Sequence, residues 1–315
     1  MRFVTFTCLP RGSWRDGRPG IWLRDADTIV DLQAWVARTR TPPASWPSHY
    51  LDWFDLDAPW HALAREVASD AAASIARRSD WQATGIAFSR DAVGLLSPVP
   101  RPGKIVCVGL NYRDHAAEAA MPVPERPLTF AKYPSAVIGC GEPIMLPASS
   151  RHVDYEAELA VVMGRRACRV AAGDALGYVF GYANANDVSA RDFQKSDGQW
   201  VRAKSCDTFA PIGPAIVTAD EVGDPHALRV RLRLNGRTMQ DSSTDEFVFD
   251  VAQLIESISE TSTLEPGDVI LTGTPPGVGF ARRPPVYLED GDLVEVEIGD
   301  LGVLGNRVAA LRGRG

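Results

Sequence analysis

Asp154, Glu156 and Glu158 recur at every second residue in Val153-Asp-Tyr-Glu-Ala-Glu-Leu-Ala-Val-Val162. Side chains alternate between the faces of a strand, so the three carboxylates are predicted to project from one face and Tyr155, Ala157 and Leu159 from the other. Carboxylates that close repel one another, and either solvent or a cation must offset the repulsion. The first alternative is a half-exposed strand with a wet acidic face. The second is a metal site. Asp187 follows an apolar run and two asparagines in Tyr182-Ala-Asn-Ala-Asn-Asp-Val-Ser189. It stands at a predicted strand end, where sites tend to lie, or it caps the next helix, a task Ser189 can also fill. A set made only of carboxylates selects a hard cation, Mg²⁺, Mn²⁺ or Ca²⁺, over zinc, which prefers His and Cys. Three such ligands leave about three octahedral positions for water and substrate oxygens.

His115 and Glu118 are three residues apart, so one helical turn brings both side chains to one face, within reach of each other. The bland alternative is a surface or packed histidine. Gly273-Thr-Pro-Pro-Gly-Val-Gly279 lacks the Gly-Lys-Ser/Thr ending of a P-loop and the spacing of a dinucleotide fingerprint. The five cysteines are widely spaced with no C-x-x-C pair, which fits reduced, core-packed thiols better than a disulfide framework or a zinc site.

The elements that must position these groups fall into two regions. Seven of the eight tryptophans precede residue 82, and the Pro/Gly-rich stretch Leu96–Gly103 is a credible linker. The expected organisation is a small N-terminal domain over 1–98 and a catalytic domain over 103–315. In the first, Gly20-Ile-Trp-Leu-Arg24 and Thr28-Ile-Val-Asp-Leu32 are predicted to form a hairpin, and a helix is predicted from Trp60 to Arg78. In the second, strands are predicted at Lys104–Gly109, Tyr155–Met163, Leu228–Leu234, Asp268–Gly273 and Leu293–Gly299. Asn235-Gly236 signals a hairpin, and Asp250 caps a helix through Val251, Leu254, Ile255 and Ile258. Strands this numerous, without a regular β-α-β rhythm, predict an α+β, strand-rich fold built on a mixed β-sandwich or roll.

Length and composition, 315 residues with 45% hydrophobic and 23% charged, are those of a globular protein with a sizeable core. A net charge of −7 and a pI near 5.3 argue against nucleic acid as a partner. The N-terminal apolar run is too short for a signal peptide, and no stretch approaches the roughly 18 apolar residues of a membrane span. A soluble, cytoplasmic protein is the expectation.

The matched stretches together resemble the fumarylacetoacetate hydrolase family over about residues 103–310. They are Gly109-Leu-Asn-Tyr-Arg-Asp-His-Ala-Ala-Glu118, Phe130-Ala-Lys-Tyr-Pro-Ser135, Asp154-Tyr-Glu-Ala-Glu158, Asn186-Asp-Val-Ser-Ala-Arg-Asp192, Arg202-Ala-Lys-Ser-Cys-Asp207 and Leu271-Thr-Gly-Thr-Pro-Pro-Gly-Val-Gly279. The resemblance implies that Glu156, Glu158 and Asp187 bind Mg²⁺ or Mn²⁺, and that His115 and Glu118 form a water-polarising dyad on a lid. It implies that Lys204 stabilises enolate charge. Arg191, Gln194 and Thr274 match substrate-contacting positions, and Lys132 is expected either to meet a substrate carboxylate or to pair with a surface acid. The activity implied is hydrolysis of a C–C bond in an acylpyruvate, with decarboxylation, isomerisation or hydration of a 2-oxo acid as alternatives on the same site. A catalytically silent binding protein clipped by its cation is the remote alternative. The partners implied are a small 2-oxo acid and a second copy of the chain.

Overall fold

The strand Ala157–Met163 is buried at all seven positions, which requires cover on both of its faces. It is antiparallel to Val179–Asn186 on one side and to Val269–Leu271 on the other. Beyond the latter come Ile105–Gly109, parallel, and Leu128–Lys132, antiparallel. Beyond Val179–Asn186 lies Ala210–Thr218, and to this strand Arg2–Thr7 adds antiparallel, with Phe3 opposite Ile216. The hairpin Arg18–Leu23 and Thr28–Asp31 continues outward to Ala87–Ser89. The N-terminal region therefore extends the same 12-stranded sheet. This computed structural model describes residues 1–9, 12–40, 47, 50–118 and 123–311, without the side chains of 78 and 115–117.

Alternation now sorts the central strand between two cores. Leu159, Val161 and Met163 face a cluster shared with the helix Val251–Thr261 and with Val230, Leu232, Val294 and Val296 of a second, five-stranded sheet. Ala160 and Val162 face the opposite cluster, made largely of N-terminal aromatic and aliphatic side chains. There Phe3, Phe54 and Phe180 meet edge to face at 5.2–6.1 Å, while Trp53 packs on Phe3 and Trp60. The second sheet contains the hairpin Arg229–Leu234 and Arg237–Ser243, turning at Asn235 and Gly236, both at positive φ as a tight hairpin turn requires. Asp250 and Gln253 form a capping box on the helix.

Three readings weighed from the sequence do not hold in the structure. The acidic stretch is not one continuous strand: Val153–Asp154 pairs with Ser189–Ala190, and the main strand begins at Ala157. There is no wet acidic face, because Asp154, Glu156 and Glu158 are buried along with Tyr155, Ala157 and Leu159. Neither Asp187 nor Ser189 caps the helix Arg191–Asp197, which has no side-chain cap; the Ser189 hydroxyl donates to the Asp187 carbonyl instead. The cysteines are all unpaired, but only Cys107 is buried, with Cys8 and Cys168 exposed. Among the described residues no helix is long and apolar enough to cross a membrane.

Phe180 carries the contact between the N-terminal cluster and the central sheet. Phe180→Ala is expected to cost about 3–5 kcal/mol of stability, measured by urea unfolding; a loss under about 1 kcal/mol would show that the two regions do not share a core.

Candidate active site

Strand register places the first two carboxylates. Ala157 pairs with Asn186 and Glu158 with Ala185, so Asp187 emerges just past the last pair, beside Glu156. Two backbone bonds fix that neighbourhood: Asp187 N donates to Glu156 O at 2.8 Å, and Glu156 N donates to Asn186 Oδ1 at 2.9 Å. Gln240 accepts from Ala157 N at 2.9 Å and donates to Thr274 Oγ1 and Pro275 O, tying the glycine loop to the strand. Gly273 N donates to Glu158 Oε2 at 2.8 Å. Gly273 has φ +98, and a Cβ there would lie 2.8 Å from Asn111 Cβ, so a side chain would push the loop off Glu158.

Glu156, Glu158 and Asp187 each present a carboxylate oxygen within 4.8 Å of the others, all buried. Three cations surround them. Lys204, on the short helix Val201–Lys204, donates to Glu156 Oε2 and Asp187 Oδ2 at 2.6 Å each. Lys132 donates to Asp187 Oδ1 and to Val188 O. Arg191 donates to Asp154 Oδ2 at 2.8 Å, Glu156 Oε1 at 2.5 Å and Gln194 Oε1 at 3.0 Å. Counting Asp154, four carboxylates oppose three cations. Glu158 is the one left over, with no ion pair among the described residues.

The electrostatics follow this imbalance. Burial raises the Glu156 carboxyl, but the charges of Lys204 and Arg191 outweigh it and hold the group down at about 2. Burial, then the charges of Asp187 and Glu156, push Glu158 well above the carboxylate range. Burial opposes the charge on Lys204, yet Asp187 and Glu156 overcome it and keep the ammonium protonated. The site thus fits a divalent cation: three converging oxygen donors, one negative charge in excess, and Asn186 Nδ2 buried without a partner as a donor for a further oxygen ligand.

Glu156 and Glu158 open on a cavity of about 180 Å³, lined also by Arg191, Gln194, Lys204 and Thr274 and by apolar residues, among them Phe130 and Trp200. Lys132 does not line it. Its side chain is fully buried against Asp187, so it neither meets a surface acid nor stands open to a substrate carboxylate. His115 lies on the helix Arg113–Glu118, but its side chain is outside the described residues. Glu118 accepts from Gly277 N at 3.0 Å, joining that helix to the loop that carries Thr274. Sequence reasoning passed over Asp154 as an anchor for Arg191, and it missed Gln240, Trp200 and Phe280. Trp200 alone left a trace, as the one tryptophan outside the N-terminal region.

The family model "Fumarylacetoacetate (FAA) hydrolase C-terminal" matches residues 104–309. The mitochondrial oxaloacetate tautomerase FAHD2A of Bos taurus is 51% identical over 221 residues, 70% of each chain; its Homo sapiens counterpart is 47% identical over 241 residues, 76% of each. Maleylpyruvate hydrolase from Sphingobium sp. SYK-6, solved with manganese(II) and pyruvate, superposes with a TM-score of 0.75 at 31% identity, covering 99% of this chain and 100% of that one. Fumarylacetoacetate hydrolase from Exiguobacterium antarcticum gives 0.77 at 34%, with the same coverage. The strand-rich α+β expectation holds over the whole chain. The cytoplasmic expectation does not stand: the tautomerases it resembles are mitochondrial proteins.

Because the Glu158 carboxyl binds its proton more tightly folded than unfolded, its contribution favours the cation-free fold at low pH and is lost as pH rises past the ordinary carboxylate range. Glu158→Gln removes that penalty. With chelator at neutral pH it is expected to raise Tm by a few degrees, at roughly 2–4 °C per kcal/mol, while abolishing Mn²⁺ binding in calorimetry. Unchanged Mn²⁺ affinity would take Glu158 out of the site.

Proposed function

The chain belongs to the fumarylacetoacetate hydrolase family of enzymes, and on that premise we propose that it interconverts the keto and enol forms of a small 2-oxo acid, oxaloacetate first, with a divalent cation. The convergence of Glu156, Glu158 and Asp187 beside a cavity lined by Glu156, Glu158 and Lys204 carries this reading, and the tautomerases it resembles supply the substrate. Mg²⁺ or Mn²⁺, when bound by the three carboxylates, supplies Lewis acidity toward the 2-oxo and carboxylate oxygens.

The protein's own groups do the rest. Lys204, protonated and steadied with Nζ 5.1 Å over the Phe130 ring, donates to the enolate oxygen as charge develops there, where a preorganised donor acts most strongly. Arg191 is fixed by Asp154 and Glu156, and it fixes Gln194; with Thr274 these orient the acid. Ketonisation adds a proton at C3 and releases one from the enol hydroxyl. Glu118, on the helix that touches the glycine loop, is the group assigned to exchange these protons with solvent.

Hydrolysis of an acylpyruvate is the second reading. It is favoured by the Glu118–Gly277 contact, which brings the dyad-bearing helix to the cavity loop, and by the likeness to maleylpyruvate hydrolase. That reaction needs water activated by His115 and Glu118, whereas tautomerisation needs the enolate-stabilising groups and a proton exchanger but no activated water. Decarboxylation would pass through the same enolate.

Loss of the enol absorbance of oxaloacetate, followed with Mg²⁺ or Mn²⁺ and then with EDTA, decides between them. Acceleration is expected with either cation and none with EDTA, and Lys204→Met should lower kcat by about 10²–10³. Cleavage of acylpyruvates without acceleration of ketonisation would replace the tautomerase reading with the hydrolase one.

A further inference from the structure

Two cavities meet at this site. The inner one, about 180 Å³, contains Glu156, Glu158 and Lys204; the outer one, about 530 Å³, is lined by His152, Lys195 and Tyr287. Arg191, Gln194, Trp200 and Phe280 line both and so form the wall between them. Three of the four are pinned. Arg191 is held by two carboxylates and holds Gln194, and Trp200 is wedged between Phe130, at 5.2 Å, and Gly109, where a Cβ would come within 2.9 Å of its ring.

Phe280 is different. Its side chain is 42% exposed and rests with its ring 4.4 Å from the Arg191 guanidinium. The backbone delivers it there: Gly279 N and Phe280 N donate to the two oxygens of Asp154 at 2.8 and 3.1 Å. A Cβ on Gly279 would fall 1.9 Å from Val286 O and 2.5 Å from Asp154 Oδ1, so only glycine lets the loop approach this far. Asp154 thereby sets both Arg191 and the ring stacked on it.

We propose that Phe280 is a partition that fixes substrate length, confining the enzyme to 2-oxo acids short enough for the inner cavity and closing off an outer one suited to a longer acid with a terminal carboxylate. The inference rests on the reading that the inner cavity holds a 2-oxo acid. The outer chamber's chemistry supports the second half. Lys195 makes no ion pair among the described residues, and the His152 ring is stacked on Tyr287 at 4.6 Å. Asp192, the acid of that chamber, is occupied by the Ser150 hydroxyl and the backbone N–H groups of Arg151 and Phe193.

The test is calorimetric binding of pyruvate and of 2-oxopimelate to the full chain loaded with Mn²⁺. Phe280→Ala is expected to raise the affinity for 2-oxopimelate relative to pyruvate by about tenfold or more, the scale on which apolar pockets sort substrates by size; Phe280→Trp should shift the ratio the other way. Adding Lys195→Glu to Phe280→Ala should remove most of the gain. A ratio that stays within about twofold of wild type in both Phe280 variants overturns the partition. Retention of the full gain with Lys195→Glu overturns the role of the outer chamber. A length shift in a protein that turns over no 2-oxo acid would overturn the tautomerase reading and leave the partition standing, while failure of wild type and variants to bind either acid overturns both.

Discussion

A carboxylate in a protein interior needs a counter-charge or a proton, and Glu158 has no cation of its own. The arrangement around it follows from that one unbalanced charge. Lys204 bridges Glu156 and Asp187, Lys132 holds the other oxygen of Asp187, and Arg191 spans Asp154 and Glu156. Every other charge in the cluster is satisfied inside the protein. Buried ion pairs recover only part of their desolvation cost, so a cluster that is both buried and one charge short is poor design for stability. It is good design for accepting a divalent cation, which turns the net charge positive, and then an anionic acid, which offsets it.

The fold makes that burial possible. Glu156 and Asp187 stand where Ala157–Met163 and Val179–Asn186 run out of partners, and Glu158 sits one pair inside that end, opposite Ala185. Gln240 and the backbone of Gly273 close the remaining gaps. Much of the second cover comes from N-terminal aromatics such as Phe3 and Phe54, which pack on Phe180 of the central sheet, and this ties the rigidity of the centre to a region far from it in sequence.

Local signals in the sequence were enough for local structure. The Asn235-Gly236 turn and the Asp250 cap were legible because each is decided within a few residues, and the central strand because its apolar run is long. Face alternation misled, since it assumes one wet face and this sheet has none at its centre. Pairing of Arg2–Thr7 with Ala210–Thr218 was not legible, because nothing in either segment names a partner some two hundred residues away. The acidic triad emerged only in company with the ordered motifs around it. The counter-ions were half seen: Lys204 as an enolate stabiliser and Lys132 as a substrate or surface group, when the geometry ties both to Asp187. Phe280 follows the last matched motif by one residue and carried no signal, because its role depends on where Asp154 holds the loop.

The central claim, that the unbalanced carboxylate cluster is a divalent-cation site, is tested most directly by an anomalous difference map from crystals grown with Mn²⁺. The account requires one strong peak in direct coordination with Glu156, Glu158 and Asp187, and Lys204 Nζ withdrawn from at least one of its two carboxylates. A map with no peak among these oxygens, and the Lys204 bridge to Glu156 and Asp187 intact at saturating Mn²⁺, would contradict it.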